Sequence, residues 1–138
     1  MTTVSLGARA KMLDGFVTYM ETGSSTANFT VYQTNTALAV FPLDTVPFPA
    51  ANLDSLVASD PPVNSTGTEV AGKANRFVLT NQSSETALSG SIGAIGSGAD
   101  IEVPSLTVTA GATQTLNSLI LRMDAYGNIS VEASLTLQ

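Results

Sequence analysis

Cysteine, histidine and tryptophan are absent from this chain of 138 residues, and charge is scarce, with 5 Lys and Arg against 11 Asp and Glu. Each gap removes a class of chemistry. Without cysteine there is no disulfide framework, and the sequence carries no mark of redox compartment. Without histidine or cysteine the familiar Ser-His-Asp and Cys-His triads cannot be assembled. A Ser-Lys arrangement would have to draw on Lys11 or Lys73, and neither stands in a suggestive motif. Zinc would be left with carboxylates alone, an improbable ligand set for that ion. The expectation is a chain that is not an enzyme and holds no cofactor.

The shortage of positive charge speaks against a nucleic-acid partner. Formal net charge is -6, and Arg9, Lys11, Lys73, Arg76 and Arg122 form no basic cluster. No run approaches the roughly 20 apolar residues of a membrane span, and the first residues lack the long uncharged run of a signal peptide. The Asn-x-Ser/Thr triplets at Asn28, Asn64, Asn81 and Asn128 therefore read as chance products of an Asn/Ser/Thr-rich chain. Charged residues make up 12% of the chain, about half of what a soluble domain carries. That suits a protein held permanently in an assembly, and equally a Ser/Thr-rich β-surface. An apolar share of 43% is too high for a disordered chain.

What is present is mostly alternation. In residues 129–138 the apolar side chains Ile129, Val131, Ala133, Leu135 and Leu137 fall on every second position, which gives a strand one dry and one wet face. Leu119, Leu121 and Met123 alternate likewise, and Asp124-Ala125-Tyr126-Gly127-Asn128 between the runs has the content of a hairpin loop. Further strands are predicted at 29–32, 37–41, 76–80, 87–92 and around Ile101, Val103, Leu106 and Val108, with a turn at Ala110-Gly111-Ala112. Near the start the period changes. Leu6, Ala10, Leu13, Val17 and Met20 lie on one helical stripe, Ser5 is a suitable N-cap and Gly23 a suitable stop, so a helix is predicted over about 5–21. That helix would cover its own sheet or pack on a neighbouring subunit. The prediction is one all-β domain over 1–138: an antiparallel β-sandwich of about seven strands with one N-terminal α-helix.

The segment from about 42 to 72 breaks the pattern. Pro42, Pro47, Pro49, Pro61 and Pro62 prevent a central strand throughout, yet Leu43, Val46, Phe48, Leu53, Leu56 and Val57 are apolar. Two readings follow: a loop packed on its own domain with 59–67 as an exposed tip, or an arm whose Leu43, Val46, Phe48, Leu53 and Leu56 are buried only against a partner. Tyr126, in a hairpin loop, is a further contact candidate. The glycines at 90, 93, 96 and 98 lack the spacing and following lysine of a phosphate loop and read as a connector. Asp100 and Glu102 share one strand face, either as solvated side chains or as a loose calcium site. Asp44, Asp54 and Asp60 lack the spacing of a calcium loop.

The stretch Gly98-Ala99-Asp100-Ile101-Glu102-Val103, then Leu106-Thr107-Val108-Thr109-Ala110-Gly111, then Thr113, Thr115, Leu119 and Leu121, resembles the terminal signature of small virion-associated proteins of tailed bacteriophages and prophages. The early helix, the strand ending in Tyr32, the Pro/Ala-rich middle and the paired strands near 76–79 and 88–93 agree in layout. The chain departs from the pattern in its extra hairpin, 122–138, and in its proline-rich 41–67. The resemblance implies a structural protein without enzymatic activity or cofactor, located in the virion after assembly in the host cytoplasm. It points to a capsid cement (decoration) subunit, a dimer or trimer contacting the major capsid protein, or to a neck, tail or fibre component. A receptor- or carbohydrate-binding sandwich, offering loops 81–86 and 124–128, is the competing expectation.

Overall fold

The helical stripe folds as α1, Leu6–Met20, and Ser5 caps it by accepting the Ala8 N–H at 3.2 Å, which satisfies one of the orphan donors of the first turn. Leu13 and Met20 are fully buried, whereas Leu6 at the head of the stripe is exposed. The computed structural model describes residues 2–138. It is an all-β fold of eleven strands in three sheets with the one N-terminal helix. In chain order the strands are β1 (Asn28–Gln33), β2 (Thr36–Pro42), β3 (Ser55–Val57), β4 (Val63–Asn64), β5 (Gly72–Lys73) and β6 (Arg76–Thr80). There follow β7 (Thr86–Ala94), β8 (Ile101–Val103), β9 (Thr107–Val108), β10 (Thr115–Met123) and β11 (Ile129–Thr136).

The larger sheet runs β2-β1-β6-β7-β8; the second has β11-β10-β3 with β4 also on β10; β5 and β9 form a small pair. Alternation puts Phe29, Val31, Phe77 and Leu79 of the first sheet, and Leu119, Leu121, Met123 and Leu135 of the second, into one shared core. Phe29 is its hub: its ring stacks on Phe77 at 5.4 Å and 12° and lies tilted at 6.1 Å from Phe41. Burial of each such ring contributes about 1.5–3 kcal/mol.

Two expectations need correction, and one open alternative is settled. The sheets are not purely antiparallel, because β7 and β8 pair in parallel from Ile92↔Ile101 to Ala94↔Val103. Parallel neighbours ordinarily need a long crossover. Here β8 overlaps only the end of β7, so the chain must return just about 10 Å, which residues 95–100 can span. Accordingly the glycines are not all connector: β7 runs through Gly90 and Gly93 to Ala94. A Cβ on Gly93 would come 2.3 Å from the Ser97 hydroxyl, which is how closely the returning loop crosses the strand.

The second point separates the two readings of the proline-rich segment: it packs on its own domain, as the first of them had it, and not as an arm. It holds β3, β4 and β5, and Leu43, Phe48 and Leu56 are buried in the chain's own core. Phe48 meets Phe16 of α1 edge-on at 6.2 Å, and the Asp14 carboxylate accepts the Ala51 N–H at 2.8 Å. The helix thus packs on this segment within the same chain. Prolines leave room for short strands at sheet edges, where a missing N–H is harmless. The third follows from it: 59–67 is not all exposed tip, since Val63 is buried and β4 pairs with β10 at Leu116.

Candidate functional site

Of the six residues expected at a contact surface, three stay on the outside: Val46 at 47% exposure, Leu53 at 57% and Tyr126 at 56%. Two of them stand on neighbouring turns. Asn52 and Ser55 close a tight turn by exchanging backbone hydrogen bonds of 2.9 and 3.1 Å, with Leu53 and Asp54 at its tip. Leu53 has φ of 56°, the left-handed region. A branched aliphatic residue there costs on the order of 1–2 kcal/mol, and this one leaves most of its side chain in water as well.

Tyr126 stands on the β10–β11 loop, which Asp124 organises. Its Oδ1 accepts the N–H groups of Tyr126 and Asn128, each at 2.9 Å, and its Oδ2 accepts the Asn128 side-chain amide at 3.2 Å. The Asn128 N–H foremost, then the Tyr126 N–H, the Asn128 amide and the Arg9 charge, hold the Asp124 carboxyl below its ordinary value against the opposing pull of burial.

Arg9 joins the two turns. Its guanidinium donates to the Met123 carbonyl at 3.4 Å and lies 3.7 Å from the Asp54 carboxylate, while the Met123 N–H donates to the Asp54 carbonyl at 2.9 Å. The Val4 N–H also donates to the Ala125 carbonyl at 2.6 Å. The result is one end of the molecule carrying Leu53 and Tyr126 on a fixed base, beside the start of the helix with its exposed Leu6. In the sequence Arg9 stands out only as one of five scattered cations that form no basic cluster. A cation next to the stripe was the available signal, but its partners lie far along the chain.

The other candidates are used by the fold. Asp100 Oδ2 accepts both the backbone N–H and the hydroxyl of Ser91, at 2.9 and 3.1 Å, and Glu102 Oε2 accepts the Gly98 N–H at 2.7 Å. These carboxylates therefore fasten the 95–100 return. Among the described residues no three His, Cys, Asp or Glu side chains gather to hold an ion, and no helix is long and apolar enough to cross a membrane. In the 81–86 loop, Asn81 is buried and its Oδ1 accepts the N–H groups of Ser83 and Glu85. Buried Glu69 accepts the Ser65 hydroxyl at 2.5 Å, and that hydroxyl, with the N–H groups of Glu69 and Gly67, holds its carboxyl below the ordinary value.

One recess, of about 390 Å³, is lined by Thr34, Asn75, Arg76, Ser89, Gly90 and Ser91. Arg76 lies 4.7 Å over the Tyr32 ring, donates to the Thr34 carbonyl at 2.5 Å and has no carboxylate partner among the described residues. Such a recess could receive a small polar or anionic group. Comparison with protein-family models, with curated proteins and with solved structures finds no match to this chain.

Proposed function

We propose that this chain is a structural protein of a bacteriophage particle: a capsid cement or decoration subunit that stabilises contacts between major capsid proteins. The two larger sheets are taken as the leaves of a β-sandwich whose task is contact rather than turnover. The observation that carries the reading is Leu53, a leucine held at positive φ and exposed beside Tyr126, on a base fixed by Arg9. Strain and exposed apolar surface at one point are costs a fold bears where a partner covers them. The resemblance of the 98–121 stretch to virion proteins supplies the kind of partner.

The test is sedimentation of the tagged chain with tailed-phage particles from a lysate of the producing host. The expected result is banding with DNA-filled heads in fixed ratio to the major capsid protein, lost in a Leu53→Ser/Tyr126→Ser double variant. Banding with isolated tails would move the reading to a neck, tail or fibre component. If the chain stayed at the top of the gradient, the particle role would be wrong. A second reading, a receptor- or carbohydrate-binding module, draws on the recess beside Arg76. It requires glycan binding that Arg76→Ala abolishes.

A further inference from the structure

Among the described residues β11 is hydrogen-bonded to a strand on one side only, that of β10, while β8 packs beside it without pairing. The Ala58 N–H donates to the Leu119 carbonyl and the Met123 N–H to the Asp54 carbonyl, so the odd-numbered residues of β10 turn their backbone groups toward β3. Antiparallel ladders alternate; the even-numbered Ile120 and Arg122 therefore bond to their partners Glu132 and Ser130 on β11. That leaves Ile129, Val131 and Ala133 with N–H and C=O groups pointing off the sheet, and no hydrogen bond among the described residues reaches them.

The same residues face the core, yet Ile129 is 39% exposed and Val131 and Ala133 are only half-buried, whereas Leu135 is closed over. The core is only partly covered along 129–133. Natural edges are guarded by lysine, proline, a bulge or a covering segment. On β2 such cover is present, since the Thr66 and Val70 N–H groups donate to the Val40 and Leu38 carbonyls. Over 129–133 β11 has neither lysine nor proline, and its register with β10 runs unbroken there.

We infer that residues 129–133 of β11 are a dimerisation edge, on which the same segment of a second copy lies antiparallel about a two-fold axis at Val131. Charge and parity select that register. The outward-pointing residues are odd-numbered and must face one another, which allows axes at 130, 131, 132 or 133. An axis at 130 sets Ala133 against Gly127 of the hairpin loop instead of a strand residue. An axis at 132 sets Glu132 against Glu132, two like charges directly opposed. An axis at 133 runs the pairing onto Leu135, whose end of the strand is already covered. The axis at Val131 pairs Ile129 with Ala133 and sets Glu132 against Ser130. Glu132 is also neutralised within its own chain by Arg122 Nε at 2.9 Å, so this edge is electroneutral in a chain of net charge -6. The half-open core is closed by a second identical one, and the hairpin tips bearing Tyr126 point in opposite directions. The inference deepens the contact reading by giving its subunit a symmetric partner, but it concerns the purified chain alone and fails separately from the particle test.

The absence of native cysteine makes the test clean. Val131→Cys places two thiols opposite each other at about 5.5 Å between Cα atoms, a separation a disulfide bridges. A mild copper-phenanthroline oxidation is expected to give a covalent dimer, while Ser134→Cys, about 20 Å from its counterpart in this register, gives none. In sedimentation equilibrium, exposed Ser130→Glu is expected to weaken the dimer by about tenfold, since Glu132 is met by a like charge twice. Ser130→Lys leaves it as tight or tighter. A wild-type chain monomeric at every concentration would overturn the inference. So would a trimer, or crosslinking of Ser134→Cys as efficient as that of Val131→Cys. Circular dichroism of each variant separates lost pairing from lost fold.

Discussion

The Phe77 ring rests on the backbone of Gly90: a Cβ built on Gly90 would stand 2.7 Å from the ring and 2.6 Å from the Asp100 carboxylate. Both neighbours are held, the ring by its stack on Phe29 and the carboxylate by Ser91. Neither can retreat without loosening the core or the 95–100 return. Gly90→Ala is therefore expected to destabilise the fold by about 1–3 kcal/mol, the usual cost of overpacking. Urea unfolding measures it. A midpoint equal to wild type would mean that the two groups move aside freely, contrary to this geometry.

Buried Gln114 fastens the end of the described chain. Its side-chain amide donates to the Ala112 and Gln138 carbonyls at 2.8 and 2.7 Å, and its Oε1 accepts the Gln138 N–H at 2.6 Å. Gln114→Ala strands these groups, at a cost of about 1–3 kcal/mol. Hydrogen exchange should localise the effect, with the Gln138 amide losing protection while Phe77 and Leu79 of β6 keep theirs. Uniform loss across the chain would instead indicate a global role for Gln114.

Much of this was legible beforehand, and the pattern of misses is physical. Ser5, the stripe through Leu13 and Met20, and the alternation of 129–138 are local signals, and the helix and the last hairpin appear where they point. Strands β3, β4 and β5 are two or three residues long. They exist because β10 and β9 offer partners, which no window of sequence contains. The parallel pairing of β8 was hidden because a strand alternates identically in either direction. Phe48 and Leu56 read equally well as core or interface, since hydrophobicity does not say whose core receives it. At the candidate site Tyr126 was visible as an aromatic in a turn. Leu53 was named there for its hydrophobicity, but its left-handed backbone was not legible, because leucine carries no preference for that conformation.

Asp124 should give the contact end a pH dependence. Its carboxyl is held below its ordinary value, so the ionised form is favoured in the folded loop. The sign follows: the stabilisation is complete above the unfolded value, about 3.9, and is lost as pH falls through the lower folded value. The backbone chemical shift of Asn128, or the protection of its amide relative to the intrinsic exchange rate, should therefore be flat from neutrality to about pH 4 and change only below it. Asp124→Asn, which cannot titrate, should show no transition in that window. A wild-type transition near neutrality would mean that another group controls the loop.

Leu53→Asn separates the two demands on the turn at 52–55. Asparagine occupies the left-handed region at little cost, so relief of the backbone should raise stability by about 1 kcal/mol. The side chain is more than half exposed, so little packing is lost in exchange. Under the contact reading the same variant should bind phage particles more weakly than wild type, because the apolar group that a partner would cover has gone. A more stable protein that associates less well is the signature of strain kept for recognition. Were Leu53→Asn to bind particles as well as wild type, Leu53 would be a tolerated irregularity and the contact surface would have to be sought elsewhere. Unfolding midpoint and gradient co-sedimentation, measured on one preparation, decide between the two.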